Sequence, residues 1–211
     1  MTIVDTELGK VAGAQYGTHV AFRGLPFARP PVGPRRFQAP EPPEPWTGVR
    51  DATRFAPASL QGMLFVPGER VSEGQSEDCL YLNVFTPAAD SQLRPVMVFI
   101  HGGAFTLGSG SEPLYDGAKL AARHDVVVVT LNYRLGALGY LALGEAGARW
   151  GAVDNRGTLD QLAALRWVQR NIARFGGDPR QVTVFGESAG ATSVCVLLAL
   201  AEARGTFARA I

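Results

Sequence analysis

Gln181–Gly190, QVTVFGESAG, is the stretch whose reading decides the fold. Val182 to Phe185 is a short apolar run with the character of a buried strand, and it breaks abruptly into Gly186-Glu187-Ser188-Ala189-Gly190. A run suited to a helix, ATSVCVLLALAEA, follows at once. Strand, Gly-x-Ser-x-Gly and helix in direct succession is the context that holds a serine on a sharp turn above a sheet edge. The flanking glycines let strand and helix approach without a Cβ clash. Ser188 then stands at a helix N-terminus, where unpaired N–H groups and the dipole favour developing negative charge. An isolated Gly-x-Ser-x-Gly is a common turn. The flanking elements and a second motif upstream make this one a nucleophile position.

Immediately upstream, Thr158 to Arg174 reads as a helix. Thr158 and Gln161 have the spacing of a capping box. Leu162, Leu165, Val168 and Ile172 fall on one face, with Asp160, Arg166, Arg170 and Arg174 on the other. Gly176-Gly177 and Asp178-Pro179 end it. Further upstream, Leu80–Phe85, Val96–Ile100 and Val126–Leu131 read as strands, and the unbroken apolar runs indicate a sheet covered on both faces. Glu112 to Arg123 has the composition of a crossover helix. Alternating strands and one-sided helices give an α/β fold with a mostly parallel central sheet, as one domain over residues 1–211. Residues 3 to about 28 read as hairpin material. The proline-rich stretch from Gly24 to Trp46 reads as an ordered loop pinned by Phe22, Leu25, Phe27, Phe37 and Trp46. Residues 60 to 78 have the composition of a mobile surface loop.

The totals exclude several function classes. With 46% hydrophobic and 18% charged residues and a formal charge of +1, nothing in the composition points to nucleic acid or an anionic membrane. No apolar run approaches the ~18 residues of a spanning helix. The N-terminus MTIVDTELGK lacks an apolar signal region, and the expected compartment is cytoplasmic. Cys79 and Cys195 read as two buried thiols. No Cys-x-x-Cys or Cys/His cluster suggests a metal, and no metal or organic cofactor is expected.

The second motif is His101-Gly102-Gly103-Ala104-Phe105, directly after the strand Val96–Ile100. A glycine pair after a strand lets the backbone turn with convergent, exposed N–H groups, the requirement of an oxyanion hole. Phosphate binding is the rival. Gly103 to Gly108 has the spacing of a P-loop but lacks its lysine, and no G-x-G-x-x-G occurs here. His101 is read as structural rather than as a base.

These residues resemble the type B carboxylesterases, α/β-hydrolases that include cholinesterases and bacterial esterases acting on p-nitrophenyl esters. The matching stretches are FRGLPFARPPVGPRRF (22–37), SEDCLYLNVFTP (76–87), VFIHGGAF (98–105), LNYRLGALGY (131–140), LDQLAALRWVQRNIARFGGDP (159–179) and VTVFGESAG (182–190). The resemblance implies Ser188 as nucleophile and Gly103, Ala104 and Ala189 as oxyanion donors, with Gly102 shaping the turn. It implies a small-molecule carboxylic ester as substrate, with Phe105 and the 60–75 loop contributing to its pocket. It also implies that Glu187, Asn132, Arg134 and Asp160 are buried polar scaffolding.

Two departures stand out. Family members often pair the cysteine of the EDCL segment with one upstream, where this chain has Ser59, so Cys79 is expected to be free. The triad order Ser, acid, His cannot be completed. After Ser188 come no His, no Asp and one acid, Glu202, which is expected along the same helix, pointing away. His19, His101 and His124 all precede the serine. The chain therefore reads as the N-terminal part of a longer esterase, with weak activity alone and an open sheet edge prone to association. A non-catalytic binding or adhesion homologue is the alternative.

Overall fold

A computed structural model describes residues 1–62 and 74–211. The loop expected over 60–78 therefore falls largely outside the described residues. The N-terminal segment forms β1 (Thr2–Asp5), β2 (Lys10–Gln15) and β3 (Val20–Pro26), an antiparallel meander. The short β4 (Val49–Asp51) pairs with β2, and β5 (Ala58–Ser59) pairs with β6 (Gln75–Ser76). Then follow β7 (Tyr81–Thr86), β8 (Arg94–Ile100), α1 (Ala118–His124), β9 (Val127–Leu131), α2 (Gly136–Tyr140), α3 (Gly144–Ala148) and α4 (Arg156–Asn171). The chain continues through β10 (Gly177–Gly186), α5 (Ala189–Ala199) and β11 (Arg209–Ala210).

The central sheet has the order β1-β2-β3-β7-β9-β8-β10-β11. It is antiparallel from β1 to β9 and parallel from β9 through β8 and β10 to β11. The apolar runs are unbroken because both faces are covered. Val96, Val98 and Ile100 of β8 face the larger core with Leu162, Leu165, Val168 and Trp167 of α4. Phe99, between them, meets Tyr115 and Phe185 on the opposite face. Val128 of β9 joins Ala121 of α1 there. An apolar run carries no direction, which is how Tyr81–Thr86 can run antiparallel to β9 with the same composition as its neighbours.

The proline-rich loop is held from two sides. Phe22, Leu25 and Phe27 are buried, and Phe22 meets Phe175 edge-on at 4.9 Å. The Trp46 indole N–H donates to the Lys10 carbonyl at 2.9 Å. The guanidinium of Arg134 also donates to the carbonyls of Arg36 and Gln38, a clamp that proline content does not reveal.

Several expectations are corrected. α4 starts at Arg156, with Asn155 in the left-handed conformation before it and no side-chain cap. Thr158 and Gln161 therefore form no capping box; Gln161 is buried and its amide donates to Ser193 Oγ at 2.9 Å. Asp160, placed by periodicity on the outer face, is fully buried against Arg134. Between 112 and 123 the α-helix begins only at Ala118, because Asp116 turns extended and ends the first part as a single 3-10 turn, Pro113–Tyr115. Cys195 is exposed rather than buried, on an outer α5 face that also carries Val196 and Leu198. Glu202 lies beyond α5, in a separate 3-10 turn.

Candidate active site

Strand register builds the site. Ile100, the last residue of β8, pairs with Gly186, the last of β10, so the two motif loops leave adjacent parallel strands at one level. Gly102 then lies on the elbow. A Cβ added there would come within 2.8 Å of the Glu187 carbonyl oxygen and 3.1 Å of Ser188 Cβ, and would strike the Glu187 carboxylate. Only glycine permits this approach. Gly190 seals the other side. A Cβ there would collide with the Ile100 carbonyl and lie 2.9 Å from that of His101.

Ser188 holds φ 53° and ψ −118°, a conformation that a side chain strains to adopt. It is solvent-exposed, whereas Ala189 and Gly190 behind it are buried. The turn is fixed by Gly190 N–H donating to the Glu187 carbonyl at 2.8 Å and by Thr192 N–H donating to that of Ser188 at 3.0 Å. Ser188 makes no side-chain cap to α5, so its hydroxyl is not spent on the helix.

The facing loop is strained in the same sense. Gly103, Ala104 and Phe105 have φ values of 102°, 52° and 60°. The loop closes through the Gly103 carbonyl, which accepts from Thr106 and Leu107 N–H at 2.9 Å each. Among the described residues the N–H groups of Gly103 and Ala104 donate no hydrogen bond. Ala189 is the first residue of α5, where the helix offers its N–H no acceptor. Phe105 packs on Tyr140 at 4.8 Å between ring centres, and its carbonyl accepts from Gly136 N–H at 2.7 Å. Of the 60–75 segment, Gln61 braces the loop by exchanging two bonds with Gly108, at 2.9 and 3.0 Å; residues 63–73 lie outside the described residues.

The histidines do not converge on Ser188. His101 is buried beneath the glycine loop, stacked on Tyr133 at 4.4 Å, with Nδ1 2.8 Å from the Gly102 carbonyl. Burial pushes its pKa down to about 4, against the partial support of that carbonyl, so the ring is neutral. Tyr133 pins the same segment by donating to the His101 carbonyl at 2.8 Å. His19 adjoins Val20, which pairs with Thr86, and His124 ends the helix that precedes β9. Both therefore sit at the opposite edge of the sheet. Among the described residues no group of three or more His, Cys, Asp or Glu is arranged to hold a metal.

Behind the loops stands a buried polar girdle. Asp160 accepts from Arg134 N at 3.0 Å, Nε at 2.8 Å and Nη2 at 2.7 Å. Burial pushes the Asp160 carboxyl up, and the Arg134 bonds oppose that shift. Arg156 donates to the carbonyls of Ala137, Leu138, Leu141 and Val153. Asn132 accepts from Gly110 N–H at 2.9 Å and donates to the Pro57 carbonyl at 3.1 Å. Asn132, Arg134 and Asp160 are thus buried scaffolding, while Glu187 is exposed beside Ser188. The roles of Gln161 and Arg156 escape a sequence reading. Their partners are backbone carbonyls or a residue 32 positions away, which no spacing encodes.

The whole chain, residues 1–211, matches the model of the carboxylesterase family. The chain belongs to the carboxylesterase family. The chain is 54% identical over 215 residues to the para-nitrobenzyl esterase of Bacillus subtilis, covering 99% of the chain and 42% of that protein. It is 50% identical to carboxylesterase 4A of Bos taurus, covering 99% and 40%. A solved carboxylesterase of Geobacillus stearothermophilus superposes with a TM-score of 0.90 at 54% identity, covering 100% of this chain and 42% of the other. The fold is therefore that of α/β-hydrolase carboxylesterases, and the chain spans about two fifths of the length of the relatives it matches. Cys79 is free, and burial, chiefly, pushes its thiol up to about 12.

Proposed function

We propose that this chain carries the nucleophile and oxyanion portion of a serine carboxylic-ester hydrolase. The observation that supports it most is the pairing of Ile100 with Gly186, which brings an exposed, strained serine against a loop whose Gly103 and Ala104 N–H groups donate no bond among the described residues. In this reading Ser188 Oγ attacks the ester carbonyl. The tetrahedral oxyanion is received by the N–H groups of Gly103, Ala104 and Ala189. Collapse expels the alcohol and leaves an acyl group on Ser188, which water then removes. The general base and its acid partner come from groups outside residues 1–211, since none of the three histidines reaches the hydroxyl.

For 1–211 alone the expected turnover lies about 10⁴–10⁶-fold below that of a complete triad. The test is a chimera in which residues 1–211 replace the matched segment of the Bacillus subtilis relative. Hydrolysis of p-nitrophenyl acetate is expected, with Ser188→Ala lowering kcat by at least about 10⁴-fold. Undiminished turnover in the Ser188→Ala chimera sinks the proposal. A second reading, a non-catalytic binding module, is favoured by the lack of any histidine on the elbow. It predicts a folded chimera that neither turns over ester nor is labelled by a fluorophosphonate.

A further inference from the structure

The proline-rich loop encloses a cleft of about 390 Å³ that the elbow does not use. Its polar lining is Arg29, Arg35, Arg50, Glu44 and Tyr81, with Trp46 and several prolines supplying the apolar wall. Three guanidinium groups and one carboxylate line it, with Glu41 paired to Arg29 and Asp78 beside Tyr81. Arg29 is already neutralised, at 3.4 Å from Glu41 and 2.5 Å from Glu44. Arg35, which lines the cleft, donates through Nε to the Pro30 carbonyl at 3.1 Å, and among the described residues its terminal nitrogens have no hydrogen bond. Arg50 lies 5.5 Å from the centre of the Trp46 ring and 6.0 Å from that of Tyr81. Among the described residues neither Arg35 nor Arg50 has a carboxylate within ion-pair distance.

Cation–π contact with Trp46 and Tyr81 restrains the planar Arg50 fork, and the bond from Trp46 to Lys10 fixes the Trp46 ring. Such a fork matches the two oxygens of a carboxylate. We propose that this cleft binds small organic carboxylates, with the anionic head on Arg35 and Arg50 and a planar or apolar body against Trp46 and the prolines. The cleft opens at the same sheet edge as Ser188: Tyr81 precedes Leu82, which pairs with the last residue of β9. Its nearest wall, Tyr81 at the start of β7, lies three strand spacings away, roughly 14 Å across the sheet, and Arg50 on β4 lies farther out. Acids of this class are what ester hydrolysis releases, but the inference stands whether or not Ser188 is a nucleophile.

Ligand-observed ¹⁹F relaxation of 4-fluorobenzoate with dilute 1–211 tests it. Saturable binding is expected, with neutral 4-fluorobenzamide inert and inorganic phosphate at least about tenfold weaker. The Arg35→Ala/Arg50→Ala variant, at an unchanged melting temperature, is expected to weaken benzoate binding by about tenfold or more. Glu44→Gln removes the lining carboxylate, leaving Arg29 paired with Glu41 alone, and is expected to tighten binding, a gain that misfolding does not produce. No saturable signal, equal binding by the double-alanine variant, or equal affinity for benzamide or phosphate overturns the proposal.

Discussion

Two sets of polar groups leave the same edge of the sheet, and they are opposites. The girdle of Arg134, Asp160, Arg156 and Asn132 is buried and bonded inwardly. The elbow and its glycine loop expose Ser188 and Ala104, hold four consecutive or facing residues at positive φ, and among the described residues leave the N–H groups of Gly103 and Ala104 undonated. The difference separates two uses of polarity. Groups that satisfy one another specify where loops sit, and groups left unsatisfied by a strained backbone are available to a substrate. Substitutions in the girdle should therefore cost stability, and substitution of Ser188 should cost reactivity without costing stability.

The largest effect is expected at Asp160. Asp160→Ala leaves the buried Arg134 guanidinium without its counter-charge and should lower unfolding free energy by about 3–5 kcal/mol. The urea midpoint measures it. Replacing both partners with apolar residues, Arg134→Met with Asp160→Leu, should recover much of the loss, because no lone charge remains buried. A drop below about 1 kcal/mol for Asp160→Ala would erase the distinction between the two regions.

His101 stands at the joint, buried under the glycine loop, and among the described residues its ring bonds only to its own neighbour's carbonyl. Its pKa is depressed in the folded chain to about 4, from 6.5. The unfolded chain thus binds the proton first. Stability from the neutral ring is complete above about pH 6.5 and is lost as pH falls toward 4, by about 3 kcal/mol. His101→Gln should flatten that limb of the urea-midpoint profile. The Asp51, Asp90 and Asp178 carboxyls, held below the ordinary range by hydrogen bonds, act at lower pH and remain in both profiles.

The elbow was legible because its cause is local: a strand, a glycine-spaced turn and a helix are contiguous, and the second motif also follows its strand directly. The girdle was legible only through family likeness. Periodicity sends Asp160 outward because it counts polarity and cannot see Arg134, which lies 26 residues back. The capping box failed for a similar reason. Asn155 starts α4 through its backbone, and Gln161 is drawn inward by Ser193. For Cys195, an apolar helix reads as buried on every side, but the outer face of α5 is open here.

The smallest effect is the sharpest test of the contrast, because its sign is reversed. Ser188 carries a Cβ at φ 53° and ψ −118°, which costs of order 1–3 kcal/mol. Ser188→Gly removes that cost and surrenders no helix cap, since the hydroxyl makes none. Glycine's greater freedom in the unfolded chain takes back about 0.5–1 kcal/mol. The net expectation is a gain of about 1 kcal/mol in the urea midpoint, accompanied in the chimera by loss of ester turnover. A stabilised but unreactive variant means that the fold holds the serine in place at its own expense, as a site for chemistry does and a scaffold does not. If Ser188→Gly instead loses stability as Asp160→Ala does, the elbow is packing like the girdle, and the unsatisfied N–H groups beside it lose their meaning as a site.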